Sequence, residues 1–128
     1  MPPERPPLGI LLLSGTHERA HYAFVVAAGA AAIGRDVVLF ATNGGCHALA
    51  QDWSGLDDAG RDLTVRAAGV AGLHELREAA QELGVRMIAC DAGLRMAGLT
   101  AALLLPAVEI GGIPAFLSAV VMGQLLSI

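Results

Sequence analysis

Four short runs of apolar residues, none alternating with polar ones, constrain this chain more than any other feature. Leu8–Leu13, Asp36–Thr42 (DVVLFAT), Val85–Ala89 and Ala107–Ile110 are too short for helices and, apart from Asp36, Thr42, Arg86 and Glu109, too apolar for half-solvated strands. Strands that read this way are buried on both faces, which is the habit of parallel sheets covered by helices. The intervening segments agree. Ser14-Gly15-Thr16 is a turn with capping residues, and Glu18–Ile33 is an alanine-rich helical pattern closed by Gly34. Gly72–Leu83, closed by Gly84, reads as an amphipathic helix whose His74, Glu75, Arg77 and Glu78 form a solvated face. Ala92–Ala97 predicts a short helix stopped by Gly98, and Thr100 caps one more turn before Pro106. Pro114, at a first helical position, opens a final helix through about Leu126. Asp52–Arg61 is the most polar stretch and reads as a surface loop. With right-handed crossovers, the fold expected is α/β: a single-domain, small doubly wound three-layer α/β/α sandwich with a mostly parallel sheet of four or five strands.

At 128 residues the chain has the size of one domain, expected over residues 8–128 behind a disordered proline-rich tail, residues 1–7. Leu8–Leu13 sits at the short limit for the core of a signal peptide, lacks a small-residue cleavage site and runs directly into His17, Glu18 and Arg19. A first strand and a cytoplasmic protein are therefore expected. Ile110–Ile128 carries no charge, but Gly111, Gly112 and Pro114 break its start and no basic residue flanks it, so no membrane span is expected. A helix apolar all round needs cover on every side, and one small sheet supplies only one. A homo-oligomer is the expected consequence.

Charge removes several functions. The net charge is −4, which argues against a phosphate-neutralising nucleic-acid binder. All eight basic residues are arginine. Without lysine there is neither a Schiff-base enzyme nor a Walker-type phosphate loop. Two cysteines make no disulfide scaffold and no zinc set, and His17 and His21, though spaced i, i+4, lack a third ligand nearby in sequence. No metal and no cofactor is expected.

Ligands of open parallel sheets bind beyond the carboxyl ends of the strands. That rule selects four loops: Ser14-Gly15-Thr16-His17, Asn43-Gly44-Gly45-Cys46-His47, Cys90-Asp91-Ala92-Gly93 and Gly111-Gly112-Ile113. Both cysteines and two of the four histidines fall within them. Cys90 stands where a strand ends and a helix begins, so free N–H groups, those of Ala92 and Gly93 foremost, and the helix dipole favour its thiolate. Asp91 works against that charge, and Arg95, one turn on, is placed to neutralise Asp91. Cys46 follows the second strand with Gly44 and Gly45 opening the backbone to a ligand, and reads as a packing thiol ahead of a reactive one.

Three stretches together resemble the DsrE/DsrF-like family, the small α/β proteins that include sulfur-relay subunits of the DsrEFH and TusBCD complexes. They are LGILLLSGTHERAHYAFVVAAGAAAIGRDVVLFAT (Leu8–Thr42), VRMIACDAGLRMAGL (Val85–Leu99) and LLPAVEIGGIPAFLSAV (Leu104–Val120). The Cys90, Gly93, Leu94 and Gly98 spacing is the most specific piece. The resemblance implies a parallel-sheet fold, a trimeric or hexameric assembly and, in active members, a persulfide-carrying cysteine that by position is Cys90; sulfur donor and acceptor proteins are the partners expected of such a carrier. Asp91 directly after the thiol, and Cys46 with His47, depart from the family pattern. The functions this leaves are a persulfide carrier using Cys90, or a small-anion-binding or structural subunit of the same fold without thiol chemistry.

Overall fold

The computed structural model describes residues 5–128, and the part of the expected tail at 1–4 lies outside them. Five strands form one sheet: β1 (Leu8–Leu12), β2 (Val37–Ala41), β3 (Arg86–Cys90), β4 (Glu109–Gly111) and β5 (Gln124–Ser127). Their order is β4-β3-β2-β1-β5 and every pairing is parallel. Five α-helices connect them: α1 (His17–Ala32), α2 (Arg61–Ala67), α3 (Leu73–Glu82), α4 (Asp91–Ala97) and α5 (Ile113–Ala119). Two 3₁₀ segments, Asn43–Leu49 and Ala101–Leu103, complete the regular structure of the described residues. The expected α/β architecture is the observed one.

Alternation along the strands divides the core in two. Leu8, Ile10 and Leu12 of β1, Val37, Leu39 and Ala41 of β2, and Met87 and Ala89 of β3 face the larger layer, against Phe24 of α1, Leu73 of α3 and Leu94 of α4. The opposite side chains, Val38, Phe40 and Ile88, meet Phe116 of α5 and Val120, the residue that caps its end. Phe40 and Phe116 stack with ring centroids 5.2 Å apart, an aromatic pair adding to plain area burial. One seven-residue helix thus covers a face that on the other side takes three helices, and this asymmetry leaves open space beside Cys90.

Two expectations are corrected here. The final helix does not reach Leu126: it ends at Ala119, Met122 takes a positive φ of 63°, and Gln124–Ser127 becomes β5 beside β1. A short apolar run is ambiguous between helix and strand, and the unpaired edge of β1 decides it by offering hydrogen-bond partners. The residues just before β1 are anchored as well: the Pro7 carbonyl accepts from the Gln124 N–H at 2.9 Å, and the Pro6 carbonyl from Arg35 at 3.0 Å. Helix α2 was not anticipated from sequence, and Arg77 is not solvated. It is buried in α3 and donates to the carbonyls of Ala48, Ala50 and Gln51. Burial pulls its pKa down, yet it ties the end of the first 3₁₀ segment to α3.

Candidate functional site

Cys90 is the last residue of β3 and the N-cap of α4. Its φ of −68° and ψ of 123° keep it extended, and its Sγ accepts a hydrogen bond from the Gly93 N–H at 3.4 Å. Sulfur here takes the part that serine or aspartate oxygen ordinarily plays at a helix start, satisfying one orphan donor of the first turn. The side chain is half-buried on the α5 side of the sheet. It lines a groove of about 540 Å³ with Leu11, Leu13, Phe40, Ile113 and Pro114, and with Thr42, Asn43, Asp91, Ala92 and Gly112 at its polar and backbone margins. Arg95 Nη2 donates to Asp91 Oδ2 at 3.0 Å, the i, i+4 pair that its spacing implied, and both side chains are exposed.

Behind Cys90 lies the second thiol. Cys46 is fully buried and donates to the Ala41 carbonyl at 3.6 Å. Burial pushes its pKa up to about 11, with the neighbouring Cys90 adding to the rise. Gly93 separates the two: a Cβ there would stand 2.8 Å from Cys46 Sγ, 2.9 Å from the Asn43 nitrogen and 3.4 Å from Cys90 Cβ. Only glycine lets α4 approach the 3₁₀ segment this closely. Asn43 takes a φ of 50° at that junction, a left-handed conformation that asparagine tolerates better than most residues.

The glycines of the first two loops are occupied by one another. A Cβ on Gly44 would meet Gly15 Cα at 2.9 Å, and one on Gly45 would collide with the Leu12 carbonyl oxygen. These positions let the loops after β1 and β2 pack together, and Gly44 also lines a cavity of about 220 Å³ with Asn43, His47 and Gly93. Ser14 and Thr16 share a hydroxyl–hydroxyl hydrogen bond of 3.1 Å, and Thr16 Oγ1 caps α1 by accepting from the Arg19 N–H at 3.3 Å.

His17 is sealed away from the groove. It is completely buried, its Nε2 2.8 Å from Asp62 Oδ1, and Arg61 Nη1 donates to its Nδ1 at 3.2 Å. Because a guanidinium only donates, Nδ1 is the acceptor and Nε2 carries the proton toward Asp62. Burial raises the Asp62 pKa, but the Leu73 N–H, His17 and Arg66 outweigh it and hold the carboxyl below its ordinary range. His21 stacks on His17 at 5.6 Å and places Nε2 2.8 Å from the Ala71 carbonyl. The i, i+4 histidines therefore serve the junction of α1 with α2 and the start of α3.

Of the residues that the strand-end rule selected, the structure brings Asn43, Cys90, Asp91, Ala92, Gly112 and Ile113 to one groove. Cys46 and Gly93 pack behind it, and Ser14–His17 form the start of α1. Sequence reasoning missed the apolar wall. Leu11, Leu13 and Phe40 read as strand core, and only the scant cover by α5 turns them into groove lining. Asp62, 45 positions from His17, left no local signal.

A parallel five-stranded α/β domain carrying a half-exposed cysteine at a strand-to-helix junction defines the class. The chain belongs to the DsrE/DsrF-like family, whose family model matches residues 8–125. It is 26% identical over 140 residues to the uncharacterized protein YrkE of Bacillus subtilis (strain 168), spanning 85% of this chain and 88% of that one. Among solved structures, the YchN protein from E. coli superposes with a TM-score of 0.74 at 13% identity, covering 96% of this chain and 99% of that one. The protein MTH1491 from Methanobacterium thermoautotrophicum gives 0.59 at 14% identity, with the same coverage of 96% and 99%. At such identities the likeness is one of fold. Among the described residues, no helix is long and apolar enough to cross a membrane.

Proposed function

We propose that this protein is a sulfur-relay carrier in which Cys90 holds a persulfide. The observation that carries the reading is the placement of Cys90 Sγ: it lines an open groove and accepts the Gly93 N–H at 3.4 Å, while the second thiol is buried. The Gly93 N–H points at the sulfur, and Cys90 stands at the N-terminus of α4, so the thiol emerges at the rim of the sheet beside polar backbone. Arg95 offsets the opposing charge of Asp91.

The chemistry is exchange at sulfur. The Cys90 thiolate attacks the terminal sulfur of a donor R–S–SH, forming a new S–S bond to Cys90. The donor's own S–S bond breaks with its electron pair, and R–S⁻ leaves; the transferred sulfur keeps its proton. No oxidant or reductant is needed, and delivery to an acceptor thiolate repeats the step in the other sense. In this reading donor and acceptor are small molecules or partner proteins. The small-anion alternative draws on Gly15, Gly44, Gly45, Gly111 and Gly112; a Cβ at Gly15, Gly44 or Gly45 would meet neighbouring backbone, whereas Gly112 lines the groove.

Two further parts of the reading rest on the surface and the thiols. Leu117, Val121, Met122 and Leu125 are exposed on and after α5, an apolar area suited to a homo-oligomer of three or six chains. Both cysteines are free, which suits a reducing, cytoplasmic setting.

Intact-protein mass spectrometry after incubation with a persulfide donor tests the proposal. The expected result is one added sulfur, mapped to Cys90 and absent from Cys90→Ser. A protein whose Cys90 is readily alkylated in the native state yet never gains sulfur refutes it.

A further inference from the structure

The groove that reaches Cys90 has walls of a definite chemistry. Leu11, Leu13, Phe40, Ile113 and Pro114 supply its sides, and neither arginine nor histidine lines it. The one ionisable side chain on it besides the thiol is the Asp91 carboxylate, and the cation nearest in sequence, Arg95, is already bonded to Asp91 at 3.0 Å. Thr42 and Asn43 add uncharged polar groups at one end.

Such a lining treats donors unequally. A carboxylate or sulfonate brought into it loses water and finds no unpaired cation, because Arg95 is already committed to Asp91. An alkyl chain loses only its unfavourable exposure to water. The volume, about 540 Å³, lies within the range that encloses a small organic molecule. Resting on the carrier role of Cys90, we propose that the sulfur donor is a small uncharged alkyl persulfide, whose hydrocarbon chain lies along Leu11, Leu13, Phe40 and Ile113 while its terminal sulfur meets Cys90 Sγ. Attack by the Cys90 thiolate then expels an alkyl thiolate, and the transferred sulfur remains as Cys90–S–SH. Anionic donors, whether thiosulfate-like or bearing amino-acid carboxylates, are disfavoured by the same walls.

The test uses three hydropersulfides: ethyl, pentyl, and a pentyl chain ending in a carboxylate. Initial rates of sulfur addition to Cys90 are read by intact mass, each divided by the rate of the same donor with a free small thiol. Each methylene taken into the groove is expected to raise the normalised rate about fourfold, so pentyl should exceed ethyl by tenfold or more. The carboxylated donor should fall at least tenfold below pentyl. Ile113→Arg, at a position 43% exposed on the first turn of α5, places a cation on the rim and should narrow or invert that preference without unfolding the protein. Normalised rates that are equal for all three donors, or a carboxylated donor that is fastest on the unmodified protein, overturn the proposal while leaving the carrier reading intact. Failure of every donor to load a native, alkylatable Cys90 overturns both.

Discussion

Replacing Gly93 with alanine separates two physical effects of opposite sign. Helix propensity alone favours the substitution by about 1 kcal/mol, because glycine inside a helix loses more backbone freedom on folding than alanine does. Space opposes it. The new Cβ would lie 2.8 Å from Cys46 Sγ and 2.9 Å from the backbone nitrogen of Asn43, closer than carbon approaches either atom without movement. Overpacking of this kind costs about 1–3 kcal/mol, and the backbone contact places it in the upper half of that range. The balance is a loss of about 1–2 kcal/mol, or a fall in Tm of about 4–8 °C for a domain of this size. Urea midpoints of the parent, Gly93→Ala, Cys46→Ala and the double variant form the assay. Cys46→Ala removes the sulfur contact and leaves the Asn43 contact, so the double variant should recover about half of the Gly93→Ala loss. Native alkylation of Cys90 should change with Gly93→Ala too, since displacing α4 moves the Gly93 N–H from Cys90 Sγ. A Gly93→Ala protein more stable than its parent would refute the reasoning, because it would mean that α4 and the 3₁₀ segment are not held at this distance.

Three other outcomes follow from the same geometry. Phe116→Ala, which removes a fully buried ring stacked on Phe40, should cost about 3–5 kcal/mol in chemical denaturation; a loss below 1 kcal/mol would mean that α5 does not seal its face of the sheet. Thiol titration of the native protein should show Cys90 modified first and Cys46 protected at neutral pH, its pKa of about 11 leaving little thiolate until strongly alkaline conditions or unfolding. Equal rates at the two positions would contradict the burial of Cys46. Because the folded state holds the Asp62 carboxyl below its ordinary value, ionised Asp62 contributes stability above about pH 4 that drains away as pH falls through the lowered value. Asp62→Asn should therefore show a shallower loss of stability below pH 4 in urea midpoints taken across pH, and parallel curves would refute the assignment.

The parts of the fold legible in the residue order are those whose signals are local. Gly34, Gly84 and Gly98 follow their helices with φ of 90°, 82° and 70°, left-handed ends that any reading of helix stops anticipates. Cys90 was legible for the same reason, as a strand-to-helix junction is written in adjacent residues. Arg77 was not: an arginine among Glu75 and Glu78 looks solvated until the carbonyls of Ala48, Ala50 and Gln51 arrive from another part of the chain. Nor does one loop, read alone, hint that Gly15 and the Leu12 carbonyl stand close against Gly44 and Gly45.

By its own composition and punctuation the chain determines that it buries parallel strands between helices, bears a thiol at a strand's carboxyl end, and lacks lysine for other chemistries. Tertiary structure alone decides that residues 124–127 extend beside β1, that His17 answers Asp62, and that one thiol opens to a groove while the other is buried. The reason is the same in each case. Propensity and capping act within a few residues, whereas hydrogen-bond satisfaction and burial are settled by neighbours that only the folded chain supplies.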